Sequence, residues 1–274
     1  MKTFVSRFLT GLIAAVLLAA CTSGPHIDRS LSTPDQRSRV KYLVLHYTVT
    51  DTPQSIRIFT HQAGVEASIH YLLSNDPEPV IYGIVDERRA AYHAGSDSGW
   101  KQDRNLNNIS IGIEIVNAGW VDGPTGRTWA PFPEKQIETL IPLIKDIMSR
   151  HHIAPENVVG HADVAPQRKQ DPGALFPWKR LAAEGIVPWP DETVVAVKRI
   201  EYQTSLPDIA WFQRKLSDIG YVVPRDGKVS QETRNVLIAF QTRYRPSKID
   251  GEPDAETAAL LDSPMRLVVP MKKN

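Results

Sequence analysis

Two histidines stand where strands should end. His46 closes the apolar run Tyr42-Leu-Val-Leu-His46, and His161 follows the valines 158 and 159. A buried imidazole needs a hydrogen-bond partner or a ligand. His161 also opens the segment His161-Ala-Asp-Val-Ala-Pro-Gln-Arg-Lys-Gln-Asp171-Pro-Gly173, which gathers one His, two Asp and two basic residues between turn formers. Loops carried on a rigid sheet are where reactive groups tend to sit. Two imidazoles and one carboxylate, Asp163 or Asp171, make a three-ligand zinc set with the fourth position open for water. Such an ion lowers the pKa of that water to about 7 and polarises a substrate carbonyl. A base is still needed. Glu114 lies in Ser110-Ile-Gly-Ile-Glu-Ile-Val116, on the face shared with Ser110 and Gly112, where a solvated surface position fits the pattern equally well.

Other chemistries lose their best evidence. There is no Gly-x-Ser-x-Gly elbow, no Gly-x-x-x-x-Gly-Lys loop and no His-Glu-x-x-His, so serine-hydrolase, nucleotide and zincin readings are not supported. Lys and Arg total 32 against 31 Asp and Glu, a formal net charge of +1 with no basic run, and no nucleic-acid partner is expected. One cysteine in 274 residues excludes an intramolecular disulfide framework and any multi-cysteine zinc site.

The elements that must position these groups are legible in outline. Residues 41–48 and 110–116 read as strands, with Ile111, Ile113 and Ile115 on one face. Ile137, Leu140, Ile141, Ile144 and Met148 recur at helical spacing between Pro133 and His151, and Pro142 should kink or break that helix. A short strand then runs through Val158 and Val159 into His161. Strand, helix and strand in alternation predict an α/β layer with a mixed sheet over residues 41–185.

The two ends read differently. Residues 1–20 carry Lys2 and Arg7 before an apolar run, the layout of a secretory signal and too short for a comfortable membrane span. Leu18-Ala-Ala-Cys21 resembles the bacterial lipobox, so Cys21 is the expected lipidation site; Thr22, in place of Asp, suggests outer-membrane retention. Residues 21–40 then form a polar tether. Residues 186–204, with Pro188 and Pro190, are expected to be a linker. Residues 205–264 hold three short helical patterns that begin after Asp208, Ser230 and Asp254 and could stand as their own domain, followed by a tail at 265–274.

The chain resembles the zinc-dependent N-acetylmuramoyl-L-alanine amidases (amidase type 2), the group that includes the AmpD-like and phage enzymes. The resemblance rests on Leu45-His-Tyr-Thr48, Ser68-Ile-His-Tyr-Leu72, Ala91-Tyr-His-Ala-Gly95, Asn108-Ile-Ser-Ile-Gly-Ile-Glu114 and His161-Ala-Asp-Val-Ala-Pro-Gln-Arg-Lys169, in that order. It implies a mixed central sheet flanked by helices. It makes His46, His161 and Asp171 the ligands of Zn2+, Glu114 the general base and Lys169 the group facing the oxyanion. Asp163 becomes supporting structure. His93, Tyr47 and Trp100 would lie around the substrate groove, and His61, His70, His151 and His152 would be structural or at the surface. Relatives that keep the fold but lose zinc bind muropeptide without cutting it; here all five candidate residues are retained. Gly227-Lys-Val-Ser-Gln-Glu-Thr233, Ala239-Phe-Gln241 and Asp250-Gly-Glu-Pro-Asp-Ala-Glu-Thr257 resemble a three-helix peptidoglycan-binding domain. The expected partners are peptidoglycan and muropeptides, with the membrane reached through lipidated Cys21 from the periplasmic side, by a monomer.

Overall fold

Aliphatic and β-branched residues in 42–47 and 110–115 build the centre of a five-stranded sheet. The computed structural model describes residues 27–124 and 126–267. The signal segment, Cys21 and residues from 268 onward lie outside the described residues. Residues 27–37 contain no helix or strand. From Ser38 onward the chain is one compact unit. Its elements in order are β1 (Tyr42–Tyr47), α1 (Thr52–Phe59), β2 (Tyr71–Leu73), β3 (Ile81–Gly83), β4 (Gly99–Trp100), β5 (Asp103–Arg104) and β6 (Ser110–Ile115). There follow β7 (Trp120–Gly123), β8 (Gly126–Trp129), α2 (Glu134–His151), β9 (Val158–Gly160), α3 (His161–Val164) and α4 (Trp178–Ala183). The chain then forms β10 (Trp189–Pro190), α5 (Glu192–Thr204), α6 (Ile209–Ile219), α7 (Gln231–Tyr244), α8 (Ala255–Asp262) and β11 (Met265–Arg266).

The main sheet has the order β3-β2-β6-β1-β9. Pairs β2–β6, β6–β1 and β1–β9 are parallel and β2–β3 is antiparallel, so the sheet is mixed. All six residues of β1 and of β6 are buried, as expected of parallel strands covered on both faces. One face, with Leu43, Leu45, Ile111, Ile113 and Ile115, packs on α2 through Ile137, Leu140, Ile144 and Ile147, and on Trp178 and Leu181 of α4. The helix runs through Pro142 as a single element, where the sequence predicts a kink or a break.

The opposite face is shared. Tyr42, Val44 and Val159 join one apolar cluster with Phe212, Leu216, Val236, Leu237 and Phe240 of the C-terminal helices. Those helices therefore do not stand apart. Their caps are the expected ones: Asp208, Ser230 and Asp254 each accept from a backbone N–H of the first turn.

The expected linker at 186–204 is a correction. Most of it is α5, capped by Asp191, and Val195 and Tyr202 pack into the bundle cluster. Its Thr193, Val194, Val195, Val197 and Ile200 are β-branched, which weakens intrinsic helix propensity and leaves tertiary packing to decide. The expected tail likewise begins with a strand, because β11 pairs with β10.

A buried ion pair ties the two regions together. Asp163 Oδ2 accepts from Arg243 Nη1 at 2.7 Å and from the Gly160 N–H at 2.8 Å, while its Oδ1 accepts from the Tyr221 hydroxyl at 2.6 Å. Arg243 also lies over the Trp178 ring, 4.0 Å from its centroid. Arg243→Met would leave the Asp163 charge buried without its cation. We expect this to remove about 3–5 kcal/mol of unfolding free energy, with most of the loss recovered by adding Asp163→Asn. Urea denaturation of the single and double variants checks this, and a single variant as stable as the unchanged chain would count against it.

Candidate metal centre and active site

Parallel pairing places His46 of β1 and Glu114 of β6 at the same register. Neighbouring residues of paired strands point to the same face, so the two side chains lie side by side on the face opposite the α2 core. β9 ends at Gly160, and the one-turn helix α3 begins with His161. The loop beyond it returns so that the Ala162 N–H donates to the Asp171 carbonyl at 2.8 Å. Three separate stretches of chain thereby converge.

Their side chains form a small triangle. His46 Nδ1 and His161 Nδ1 are 2.9 Å apart, and each lies 3.1 Å from Asp171 Oδ2. All three residues are buried. A tetrahedral ion bonded at about 2.0–2.2 Å holds its ligand atoms about 3.3–3.6 Å apart, so the three fit one after opening by a few tenths of an ångström. The donor chemistry agrees. His161 Nε2 lies 3.3 Å from the Ala94 carbonyl, which can only accept, so Nε2 carries the proton. On a neutral ring, His161 Nδ1 then presents a lone pair beside the Asp171 carboxylate. Two electron-pair donors this close, buried, call for a cation between them.

The electrostatics are those of a dry pocket. Burial and the neighbouring His161 press the His46 pKa down to about 4, leaving the imidazole neutral as a metal ligand requires. Burial opposes the charge on Asp171, but the two imidazoles outweigh it and hold the carboxyl far below its ordinary range. Glu114 moves the other way. Burial first, and the Asp171 charge second, push it well above 4.5, while Lys169 pulls it down. Its Oε2 is buried with no hydrogen-bond partner. Lys169 is half-buried, and among the described residues no carboxylate lies within ion-pair distance of it.

Other expected site residues divide. His93 lies against His46, with ring centroids 5.1 Å apart. Tyr47 is buried between Trp129 and Gly173, and burial and the Asp171 charge raise its pKa. Trp100, expected at the groove, is a correction. It is 3% exposed, stacks edge-on with Tyr221 at 4.9 Å and donates from Nε1 to the Glu156 carbonyl. Gly220 covers its indole so closely that a Cβ there would come within 2.6 Å. Trp100 belongs to the junction with the C-terminal helices, where no surface is left for a ligand. Asp163, the rival carboxylate, is engaged by Arg243, Tyr221 and Gly160 and is not part of the triangle. Sequence reasoning missed Ser110, Asn107 and Ala94. The available signal was that Ser110 shares its strand face with Glu114.

Comparison with known proteins finds two matching families and several relatives. A model of the N-acetylmuramoyl-L-alanine amidase family matches residues 36–174, and a peptidoglycan-binding domain family matches residues 205–261. The chain is 41% identical over 271 aligned residues to the N-acetylmuramoyl-L-alanine amidase AmiD of Escherichia coli K12, covering 94% of this chain and 96% of that protein. The structure of E. coli AmiD with anhydro-N-acetylmuramic acid-L-Ala-D-γ-Glu-L-Lys superposes with a TM-score of 0.76 at 40% identity, over 86% of this chain and 93% of that one. AmpDh3 of Pseudomonas aeruginosa, in complex with anhydromuramic pentapeptide, gives a TM-score of 0.77 at 36% identity, over 88% and 97% of the two chains.

The two carboxylates should separate cleanly in metal analysis. His46→Ala, His161→Ala and Asp171→Ala are expected to lose stoichiometric zinc, whereas the double variant Asp163→Asn, Arg243→Met, which leaves no buried charge unpaired, should retain it. Zinc kept by Asp171→Ala and lost by a folded double variant would reverse the assignment.

Proposed function

The chain belongs to the N-acetylmuramoyl-L-alanine amidase family and is an enzyme of that class, and from this premise we propose how its residues act. The reaction is hydrolysis of the amide between N-acetylmuramic acid and L-alanine, in cell-wall turnover or recycling. His46, His161 and Asp171 would hold zinc, and the buried triangle they form, with the unpartnered Glu114 carboxylate on the adjoining strand, is the observation that carries this reading. Zinc bound there supplies a Lewis acid and an acidified water.

The remaining work falls to side chains. Glu114 takes the proton of the attacking water and returns it to the departing amine of L-alanine, base first and acid second. Its raised pKa suits both halves of that cycle, since a carboxyl that holds its proton too weakly cannot return it. The Lys169 ammonium, with no carboxylate at ion-pair distance among the described residues, faces the negative charge that develops on the carbonyl oxygen. Exclusion of water strengthens both interactions.

The same reading extends to the ends of the chain. Residues 1–20 act as signal, Cys21 carries lipid, and the tether leads the enzyme from the outer membrane towards periplasmic peptidoglycan. The C-terminal helices hold wall and raise the local concentration of stem peptides. Cutting the chain near Pro207 would also remove Arg243 and Tyr221 from Asp163, so truncation should damage hydrolysis of soluble muropeptides as well as attachment to sacculi.

Two measurements test the proposal. Glu114→Gln should keep zinc and lower muropeptide turnover by roughly 10²–10⁴-fold, and Lys169→Ala should do so by roughly 10²–10³-fold. Loss of zinc together with activity in Glu114→Gln would make Glu114 a ligand or a structural residue instead. In cells, Cys21→Ala should move the protein from the membrane fraction to the soluble one; retention at the membrane would sink the anchor.

A further inference from the structure

The ring nitrogens of His46 and His161 that face away from Asp171 both meet one short segment. His46 Nε2 lies 3.0 Å from His93 Nδ1, and His161 Nε2 lies 3.3 Å from the Ala94 carbonyl. The segment is pinned from below. Asn107 Oδ1 accepts from the backbone N–H groups of His93 at 3.1 Å and of Ala94 at 2.7 Å. His93 Nε2, on the far side of its ring, lies 3.2 Å from Ser110 Oγ.

Protons along this chain can be placed by counting donors. The Leu106 carbonyl only accepts, so the Ser110 hydroxyl, 2.6 Å away, gives it its single proton. Ser110 Oγ is thereby left as an acceptor, and His93 Nε2 must carry a proton. An imidazole that offers Nδ1 to a metal carries its one proton on Nε2, and His46 Nε2 faces only His93 Nδ1, which must therefore hold a lone pair. That lone pair receives the Nε2–H of His46. With its proton on Nε2, His46 turns Nδ1 to Asp171 and His161 as a lone pair. The Ala94 carbonyl imposes the same tautomer on His161.

We propose that His93, Asn107 and Ser110 are positioning residues, which hold both metal-ligand histidines as Nε2–H tautomers with their Nδ1 lone pairs turned to the metal site. The family resemblance places His93 at the substrate groove instead. Its ring has both nitrogens engaged, and the residue is 9% exposed, which leaves little for a substrate to touch. Gly112 reserves the space: a Cβ there would come within 2.7 Å of His93 Cγ and Nδ1. Ser110, Gly112 and Glu114, on one face of β6, thus supply an acceptor for His93, room for its ring and the general base.

The inference rests on His46 and His161 being metal ligands, and its test is chosen to fail separately from that reading. In the zinc-loaded full chain labelled with 15N-histidine, NMR should show His93 protonated at Nε2 and bare at Nδ1. Chelator competition should show Ser110→Ala binding zinc about 10–100-fold more weakly, the scale of lost outer-shell partners. His93→Gln, which keeps an acceptor and a donor, should bind zinc more tightly than His93→Phe. A His93 ring protonated at Nδ1, or a folded Ser110→Ala with unchanged zinc affinity, overturns the inference while leaving the ligands in place. Failure of the unchanged chain to bind zinc overturns both. Should His93→Phe not fold, the tautomer and Ser110→Ala decide.

Discussion

Everything at the site hangs on the register between β1 and β6. Parallel pairing sets His46 opposite Glu114 and Val44 opposite Gly112. Successive side chains of a strand alternate between faces, so a slip of one residue would turn Glu114 into the α2 core and bring an isoleucine to the metal site. The isoleucines at 111, 113 and 115 oppose that slip, because their burial against α2 would be lost with it. The apolar face of β6 thereby fixes the position of its polar face. Packing energy on one side of the sheet becomes geometric precision on the other.

The same economy governs the loop that carries His161 and Asp171. A one-turn helix has almost no stability of its own. α3 holds because Asp163 caps it at Gly160 and is itself gripped from the C-terminal helices by Arg243 and Tyr221. The region related to peptidoglycan-binding domains is therefore also part of the scaffold of the proposed site, through a buried charge pair two residues from His161. Trp100 reinforces the junction by stacking on Tyr221. Such a pair adds little net stability over an apolar substitute, yet it is costly to break on one side. What it specifies is one arrangement of the two regions.

The sequence makes some of this legible and hides the rest for physical reasons. Strands β1 and β6 are written in local alternation and run length, and the helix caps are written in single residues. The polar face of β6 is half readable: Glu114 stands out as a candidate base, whereas nothing local gives Ser110 or Gly112, on the same face, a role. Their roles depend on His93, which reaches them only when the intervening chain folds back. Asp163 could not be told from Asp171 by pattern, because its partners Tyr221 and Arg243 lie 58 and 80 residues later. Trp100 was misplaced for the same reason, its neighbours being Tyr221 and Gly220. Helix α5 escaped notice because its β-branched residues and flanking prolines weaken the local signal, and contact with the bundle supplies what propensity does not.

Charge balance links these layers. As ligands in the proposed site, His46 and His161 would contribute lone pairs but no net charge, and His93 a hydrogen bond. The two carboxylates, Asp171 and Glu114, are buried close enough for the first to raise the pKa of the second. Two such anions cannot both be ionised in a water-excluded pocket without compensation. A divalent cation held there would cancel both, leaving the single positive charge of Lys169. That remaining charge has no ion-pair partner among the described residues, and it matches the one unit of negative charge that amide hydrolysis develops on the carbonyl oxygen. Neutral histidine tautomers are a condition of this balance, since one imidazolium among them would repel the cation and give Asp171 another partner. The hydrogen bonds that end at Leu106 and Ala94 therefore bear on the charge of the site as directly as the carboxylates do.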